Sequence, residues 1–405
     1  TSNSNTSNSN TSNSNTSNSN TSNSNTSNSN TSNSNIGDSE TPYRNPLQPV
    51  AGDRSDAPRY VEPKIEREYI KGIEVKSLPN IIDIDTQLSK DFLWKIDGDV
   101  KVAKGVKFQI EAGTKIFGDG ATSSITFESG STLIAKGTKS SPIIFTSKKD
   151  IETGSSMAGD WQGITLNNTS NSVLKYIQIR YGGAKSHPSL QLLNESYGTV
   201  LEFIEIYLSS YDGIEFNGGS VNLRNSIILG AYGDGITLKY GWSGKMQNIY
   251  IEQRDSRFGD KSSGIDIYNI DNSIFSNFTI KSGVKNVGAG VYIRNGLDVA
   301  FYNSIITGER EASCIDGDKL SSNSIFQADI IGGCAGGSHK LVKIDNAFNY
   351  LSTGSIDWSS ADEVEAINPY SLDDWFDDYR ENYIGAYNKN NPNPWWSGWS
   401  LGVDE

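Results

Sequence analysis

Leu201-Glu-Phe-Ile-Glu-Ile206, Val221-Asn-Leu-Arg-Asn-Ser-Ile-Ile228, Lys245-Met-Gln-Asn-Ile-Tyr-Ile251 and Ser273-Ile-Phe-Ser-Asn-Phe-Thr-Ile280 repeat one pattern, which returns at Phe301-Tyr-Asn-Ser-Ile-Ile306 and Ser324-Ile-Phe-Gln-Ala-Asp-Ile-Ile331. The closing isoleucines lie 22, 23, 29, 26 and 25 residues apart. A second phrase follows in step: Asp212-Gly-Ile-Glu-Phe216, Asp234-Gly-Ile-Thr-Leu238, Ser263-Gly-Ile-Asp-Ile267, Ala289-Gly-Val-Tyr-Ile293 and Ser313-Cys-Ile-Asp316. Its Gly213, Gly235, Gly264, Gly290 and Cys314 recur at 22, 29, 26 and 24. Apolar residues alternate with Glu, Thr, Lys and Asn, as in strands with one buried and one wet face. Two ladders sharing a period of roughly 20 to 30 residues imply one solenoid coil per repeat. A β-sandwich also needs such strands, but gives no reason for the same turn chemistry to return in register.

The expected fold is all-β, a right-handed parallel β-helix. Each strand then pairs with its equivalent one coil later, and Ile206, Ile228 and Ile251 fall in one inward column. Phe108-Gln-Ile-Glu-Ala-Gly-Thr-Lys-Ile116 and Ile125-Thr-Phe-Glu-Ser-Gly-Ser-Thr-Leu133 align at 17 residues, so the first coils are expected to be shorter.

Outward from this core the chain divides into four zones. Residues 1–35 are seven copies of Thr-Ser-Asn-Ser-Asn, an arm without charge or apolar side chains. Residues 36–80 read as a linker, with Pro42, Pro46, Pro49, Pro58 and Pro63. Residues 81–350 form the β-helix. Residues 351–405 carry Trp358, Trp375, Trp395, Trp396 and Trp399 beside Asp373, Asp374, Asp377 and Asp378. The 405 residues carry a formal net charge of −13, which argues against nucleic acid as a partner, and no apolar run is long enough for a transmembrane span. The chain begins without Met, which fits a removed signal peptide or numbering that starts inside a longer protein.

Several phrases carry a resemblance. Glu111-Ala-Gly-Thr-Lys-Ile116, Gly130-Ser-Thr-Leu-Ile-Ala-Lys-Gly-Thr138, Ser141-Pro-Ile-Ile-Phe-Thr146 and Gly159-Asp-Trp-Gln-Gly-Ile164 resemble the opening coils of secreted bacterial right-handed β-helix surface proteins. Leu174-Lys-Tyr-Ile-Gln-Ile-Arg-Tyr-Gly-Gly183, Tyr211-Asp-Gly-Ile-Glu-Phe-Asn-Gly-Gly219 and Gly241-Trp-Ser-Gly-Lys245 look like their middle coils. Tyr383-Ile-Gly-Ala-Tyr387 with Trp395 to Trp399 is similar to their C-terminal signature. The resemblance implies fold and secretion, and no particular activity.

Cys314 and Cys334 lie 20 residues apart, about one coil. Equivalent positions of adjacent coils sit ~4.8 Å apart, within reach of a disulfide. An oxidised pair is expected, with two stacked buried thiols as the alternative.

Cleavage of a polysaccharide needs paired carboxylates, or Ca²⁺ bound by clustered Asp and Glu beside a basic residue. Asp212, Asp234, Asp266 and Asp316 recur near the Gly turns and are candidate Ca²⁺ ligands. Asp at such turns also caps backbone N–H groups for local reasons, and this is the expected role, so no catalytic, metal or cofactor residue is assigned. His187 and His339 read as surface loop residues. Leu372, Trp375, Phe376 and Tyr379 have the spacing of an amphipathic helix with a wet acidic face. Trp375, Phe376, Trp395, Trp396 and Trp399 are therefore candidates for a cap or an interface.

In the arm, the five-residue period is odd, so Thr1, Asn3 and Asn5 face one way and Thr6, Asn8 and Asn10 the other, the pattern running on to Thr31 and Asn35. Such composition suits disorder, or an extended strand pairing with a neighbouring subunit. These features together lead to the expectation of a non-enzymatic, extracellular structural protein. It would self-assemble through its arm into a surface filament, sheath or adhesive fibre, with surface glycans as further partners. The alternatives are a carbohydrate-binding or polysaccharide-cleaving β-helix, and a phage or surface spike.

Overall fold

The structure, a computed structural model, describes residues 67–403 apart from 254–261, 271–272, 283–287, 295–297, 309–312, 318–320, 322, 335–348, 353–355, 378–381 and 402. Among them, eighteen strands make a large sheet and ten a small one. Nearly all pairings are parallel, and parallel strands joined by crossovers coil right-handed. In the large sheet one column passes through Trp94, Ile116, Phe145, Ile179, Ile206, Ile228, Ile251, Ile280, Ile306, Ile331 and Leu351 as successive partners. The residues from Ile116 to Ile331 are buried, each worth ~1.5–3 kcal/mol of hydrophobic stabilisation. The small sheet has its own column, Ile164, Leu190, Ile214, Ile236, Ile265, Val291 and Ile315.

The two ladders keep step because they touch. A Cβ on Gly235 would lie 2.7 Å from Cγ2 of Ile251 and 2.6 Å from the carbonyl oxygen of Gly264. Gly213, Gly264 and Gly290 are crowded in the same way. Glycine therefore recurs in four successive coils where the isoleucine column closes on the start of a small-sheet strand.

Two expectations about the N-terminal part need correction. The 17-residue alignment pairs phrases on different sheets: Phe108 faces Leu133 in the large sheet, whereas Ile125 lies between Val100 and Ile164 in the small one. Similar turns around Gly113 (φ 86°) and Gly130 (φ 81°) occupy different corners and produce the false repeat. The linker also ends earlier than residue 80. Glu68–Ile70 and Ile73–Ser77 form an antiparallel hairpin, and Ile73–Ser77 pairs with Leu93–Ile96. Ile70, Val75, Leu93 and Phe117 bury one another there, an apolar signal masked by the prolines upstream. Residues 1–66, including the arm positions Thr1, Asn3, Asn5, Thr6, Asn8, Asn10, Thr31 and Asn35, lie outside the described residues, as does His339.

Cys314 and Cys334 are bonded, with Cα atoms 5.5 Å apart. They are not stacked equivalents. Cys314 lies in the small-sheet strand Ser313–Gly317 and Cys334 just beyond the large-sheet strand Ile330–Gly332, so the bond ties a corner between the sheets. Gly308 makes room for it, since a Cβ there would sit 3.0 Å from Sγ of Cys334. Denatured, unreduced protein is expected to show no reactive thiol, and Cys314→Ser to cost ~3 kcal/mol of stability for a loop of this size. Labelling of two thiols per chain would contradict the bond.

The long strands of the large sheet bend at a row of left-handed residues: Tyr176, Phe203, Asn225, Asn248, Asn277, Asn303 and Ala328, with φ between 51° and 60°. Asn tolerates this conformation better than most side chains. The C-terminal segment docks along the row. Asn277 donates to the Tyr383 carbonyl (2.8 Å), and Asn303 exchanges two hydrogen bonds with the backbone of Ile367 (2.8 and 2.9 Å). Trp399 packs edge-on against Tyr176, and Trp395 against Phe203. Trp396 meets Tyr250 at 5.7 Å. The aromatic cap thus covers the flank of the large sheet.

Residues 372–377 do not form the expected helix. Asp373 accepts from the Trp375 N–H at 2.9 Å, a local bond that competes with helix formation. Its other oxygen pairs with Lys245 at 2.5 Å, and Asp377 pairs with Arg224 at 2.7 Å, so these acids face cations of the sheet. The Arg224 guanidinium lies 4.3 Å from the Trp375 ring centroid, and Phe376 is buried. Among the described residues, no helix is long and apolar enough to cross a membrane.

Candidate functional site

Between each pair of inward residues of the small sheet, one side chain points outward. Period-two alternation stacks these into a row: Thr126, Thr165, Gln191, Glu215, Thr237, Asp266, Tyr292 and Asp316. The row extends over ~30 Å at one strand spacing per residue. Asp212 and Asp234, at the turns entering two adjacent strands, add their carboxylates beside it.

Hydrogen bonds connect the row across coils. Asp212 accepts from the backbone N–H of Asp234 (2.9 Å) and from the Thr237 hydroxyl (2.7 Å). Asp234 accepts from the backbone N–H of Ser263. The aspartates do cap N–H groups, but those of the next coil. Glu215 accepts from Gln191 (3.1 Å) and pairs with Lys239 (2.8 Å). Arg294 grips Asp266 with two nitrogens, at 2.9 and 2.7 Å.

Four carboxylates thus share two cations. Burial pushes the Asp212 carboxyl up to about 6, against hydrogen bonds that favour its charged form. Burial, reinforced by the negative charges of Asp212 and Asp266, holds Asp234 well above the usual carboxylate range. Asp212 is 4% exposed, while Asp234 is half-buried as a residue. Two acids in contact, each made harder to ionise by burial, form the kind of pair in which one carboxyl can hold a proton for donation.

His187 is not a free surface residue. Nδ1 lies 2.6 Å from the Pro188 carbonyl oxygen, which can only accept, so Nδ1 carries the proton. Nε2 then accepts from the Thr165 hydroxyl at 3.1 Å, and burial lowers the basicity of the ring. Asp212, Asp234 and Asp266, raised above as Ca²⁺ ligands, direct oxygens at backbone N–H groups, Thr237 and Arg294. Among the described residues no group of three or more His, Cys, Asp or Glu is arranged to hold a metal ion. Sequence reasoning missed Glu215, Lys239 and Arg294. Glu215 sits at the outward position two residues after Gly213, where Thr237 and Asp266 follow Gly235 and Gly264.

A family model described as a pectate-lyase-like beta helix domain matches residues 80–172 and 163–400. The chain belongs to this family. No curated protein and no solved structure matches the chain. Membership corrects the expectation of a non-enzymatic protein: a pectate-lyase-like family is associated with polysaccharide cleavage, and that assignment does not stand. Composition misled here, because Asp beside a Gly turn is explained by capping alone until the next coil brings the carboxylates together.

Proposed function

We propose that this pectate-lyase-like protein cleaves glycosidic bonds of a polysaccharide lying along the polar row, with Asp234 as the proton donor and Asp212 as its ionised partner. The observation that carries the reading is this pair in adjacent coils, Asp212 accepting from the backbone N–H of Asp234 at 2.9 Å. Burial and the Asp212 charge hold the Asp234 carboxyl above its usual range, and burial raises Asp212 to about 6. Their backbones are one strand spacing apart, ~4.8 Å, so the two acids come from neighbouring coils. Lys239 and Arg294 are bound to Glu215 and Asp266, so neither is the base of an elimination in this reading. A place outside the cytosol belongs to the same proposal, since a structural disulfide persists in oxidising compartments.

The test is a panel of pectate, other uronate polymers and neutral glucans, read for new reducing ends and for unsaturated uronate. Saturated products from at least one polymer are expected. Absence of turnover across the panel overturns the reading. Unsaturated products would instead transfer the proton-abstracting role to Lys239 or Arg294 and overturn the acid pair.

A further inference from the structure

The large sheet carries a pocket that the polar row does not use. Between the left-handed corner and the C-terminal segment lies a cavity of about 500 Å³, within the ~300–1,000 Å³ usual for small-ligand sites. Five asparagines line it: Asn225, Asn248, Asn388, Asn391 and Asn393. Asn225 and Asn248 both have left-handed backbone, and Asn248 is 3% exposed beneath the C-terminal segment. Asn248 donates to Oδ1 of Asn225 at 2.8 Å and accepts from the Tyr383 hydroxyl at 3.0 Å. On the opposite wall Asn388 and Asn391 accept from the backbone N–H groups of Asn390 and Asn393, at 2.9 and 3.0 Å, which braces the loop. Tyr383, Tyr387 and Trp395 supply aromatic surface, and Trp395 is anchored by its own bond to the Ala386 carbonyl at 2.8 Å.

The lining defines the ligand. A carboxamide both donates and accepts, which matches the paired hydroxyls of a sugar, and aromatic rings match its apolar C–H face. Among the described residues the lining includes no Lys or Arg, and its one charge, Asp377, is already paired with Arg224. Such a wall offers hydrogen bonds but no cation to neutralise a carboxylate or phosphate. We propose that this pocket binds a neutral saccharide of one or two units, either free or as the end of a neutral glycan chain. The proposal stands apart from the polar row: it needs neither Asp212 nor Asp234.

The full chain is titrated by calorimetry with cellobiose, lactose and maltose, with digalacturonate as the acidic counterpart, and is tested for retention on insoluble glucan. At least one neutral disaccharide is expected to bind with one site per chain, digalacturonate at least 10-fold more weakly. Retention on the polymer would mark the glycan end as the ligand; binding of the free disaccharide alone would mark the soluble sugar. Asn248→Ala forces Ala into a left-handed backbone and tests fold and pocket together. Asn393→Ala, in an exposed loop, tests the pocket alone. Both variants are expected to weaken binding at least 10-fold, whereas Asp234→Asn leaves it unchanged. Equal or tighter binding of digalacturonate, no binding of any neutral sugar, or binding that survives Asn393→Ala overturns the proposal.

Discussion

Asp234→Asn is expected to reduce polysaccharide cleavage ~10²–10⁴-fold, the range for a lost general acid, while leaving circular dichroism unchanged. Asn retains an oxygen to accept from the Ser263 N–H, so folding and catalysis separate. Asp212→Asn provides the more specific signature. The negative charge of Asp212 is one of the causes holding the Asp234 proton in place. Removing that charge lowers the Asp234 titration, and an acid catalyst loses activity as pH rises through its pKa. Asp212→Asn also removes the ionised partner, so activity falls, and the alkaline limb of the residual activity should move to lower pH. The carboxamide introduced there still accepts the backbone N–H of Asp234 through its carbonyl oxygen, so a shift without unfolding is expected. A profile whose alkaline limb stays in place would show that Asp212 does not act on Asp234.

Acidification from pH 7.5 to 5 is expected to stabilise the fold, and Glu205 contributes to this through a carboxyl that neither the polar row nor the pocket uses. Glu205 lies beneath the C-terminal segment, where Oε1 accepts from the Leu401 N–H at 2.8 Å and Oε2 is buried without a partner among the described residues. Burial raises its carboxyl from 4.5 to about 7, outweighing the Leu401 bond and the Arg180 charge. Because the folded-state pKa lies above the unfolded value, this stability is fully present below about pH 4.5 and is lost as pH rises through about 7. The difference corresponds to ~3 kcal/mol. Glu205→Gln keeps an acceptor for Leu401 and carries no charge at any pH. It should raise the urea midpoint at pH 7.5, match the parent near pH 4.5, and flatten the dependence between. Asp212 adds a smaller loss in the same direction between its ordinary 3.8 and about 6. A Glu205→Gln variant with the parent's slope would place the titration elsewhere.

The β-helix was legible because its period is written twice, once in isoleucine and once in glycine, and neighbouring coils contact through both. Burial of one face and crowding at Gly235 act on each coil separately, so each coil carries the mark in its own sequence. The asparagine corner was equally periodic: Asn225, Asn248, Asn277 and Asn303 stand three residues before Ile228, Ile251, Ile280 and Ile306. Alternating β-patterns hid it, since a left-handed residue inside a strand leaves no apolar trace. The disulfide partners were legible as well, though not the corner they join.

The carboxylate site and the C-terminal cap were decided only by tertiary structure. Whether Asp212 caps a turn or charges its neighbour depends on Asp234, Thr237 and Asp266, which stand 22 to 54 residues along the chain and one or two coils away. Burial raises the carboxyls of Asp212 and Asp234, and burial is a property of the stacked coils. Likewise Leu372 to Phe376 has helical spacing, yet Lys245 and Arg224 on the sheet pair with Asp373 and Asp377 and hold that segment in a non-helical path. Periodic contacts between equivalent residues are encoded in sequence because every coil repeats them. Contacts between unlike residues from distant coils occur once each and leave no repeat to read.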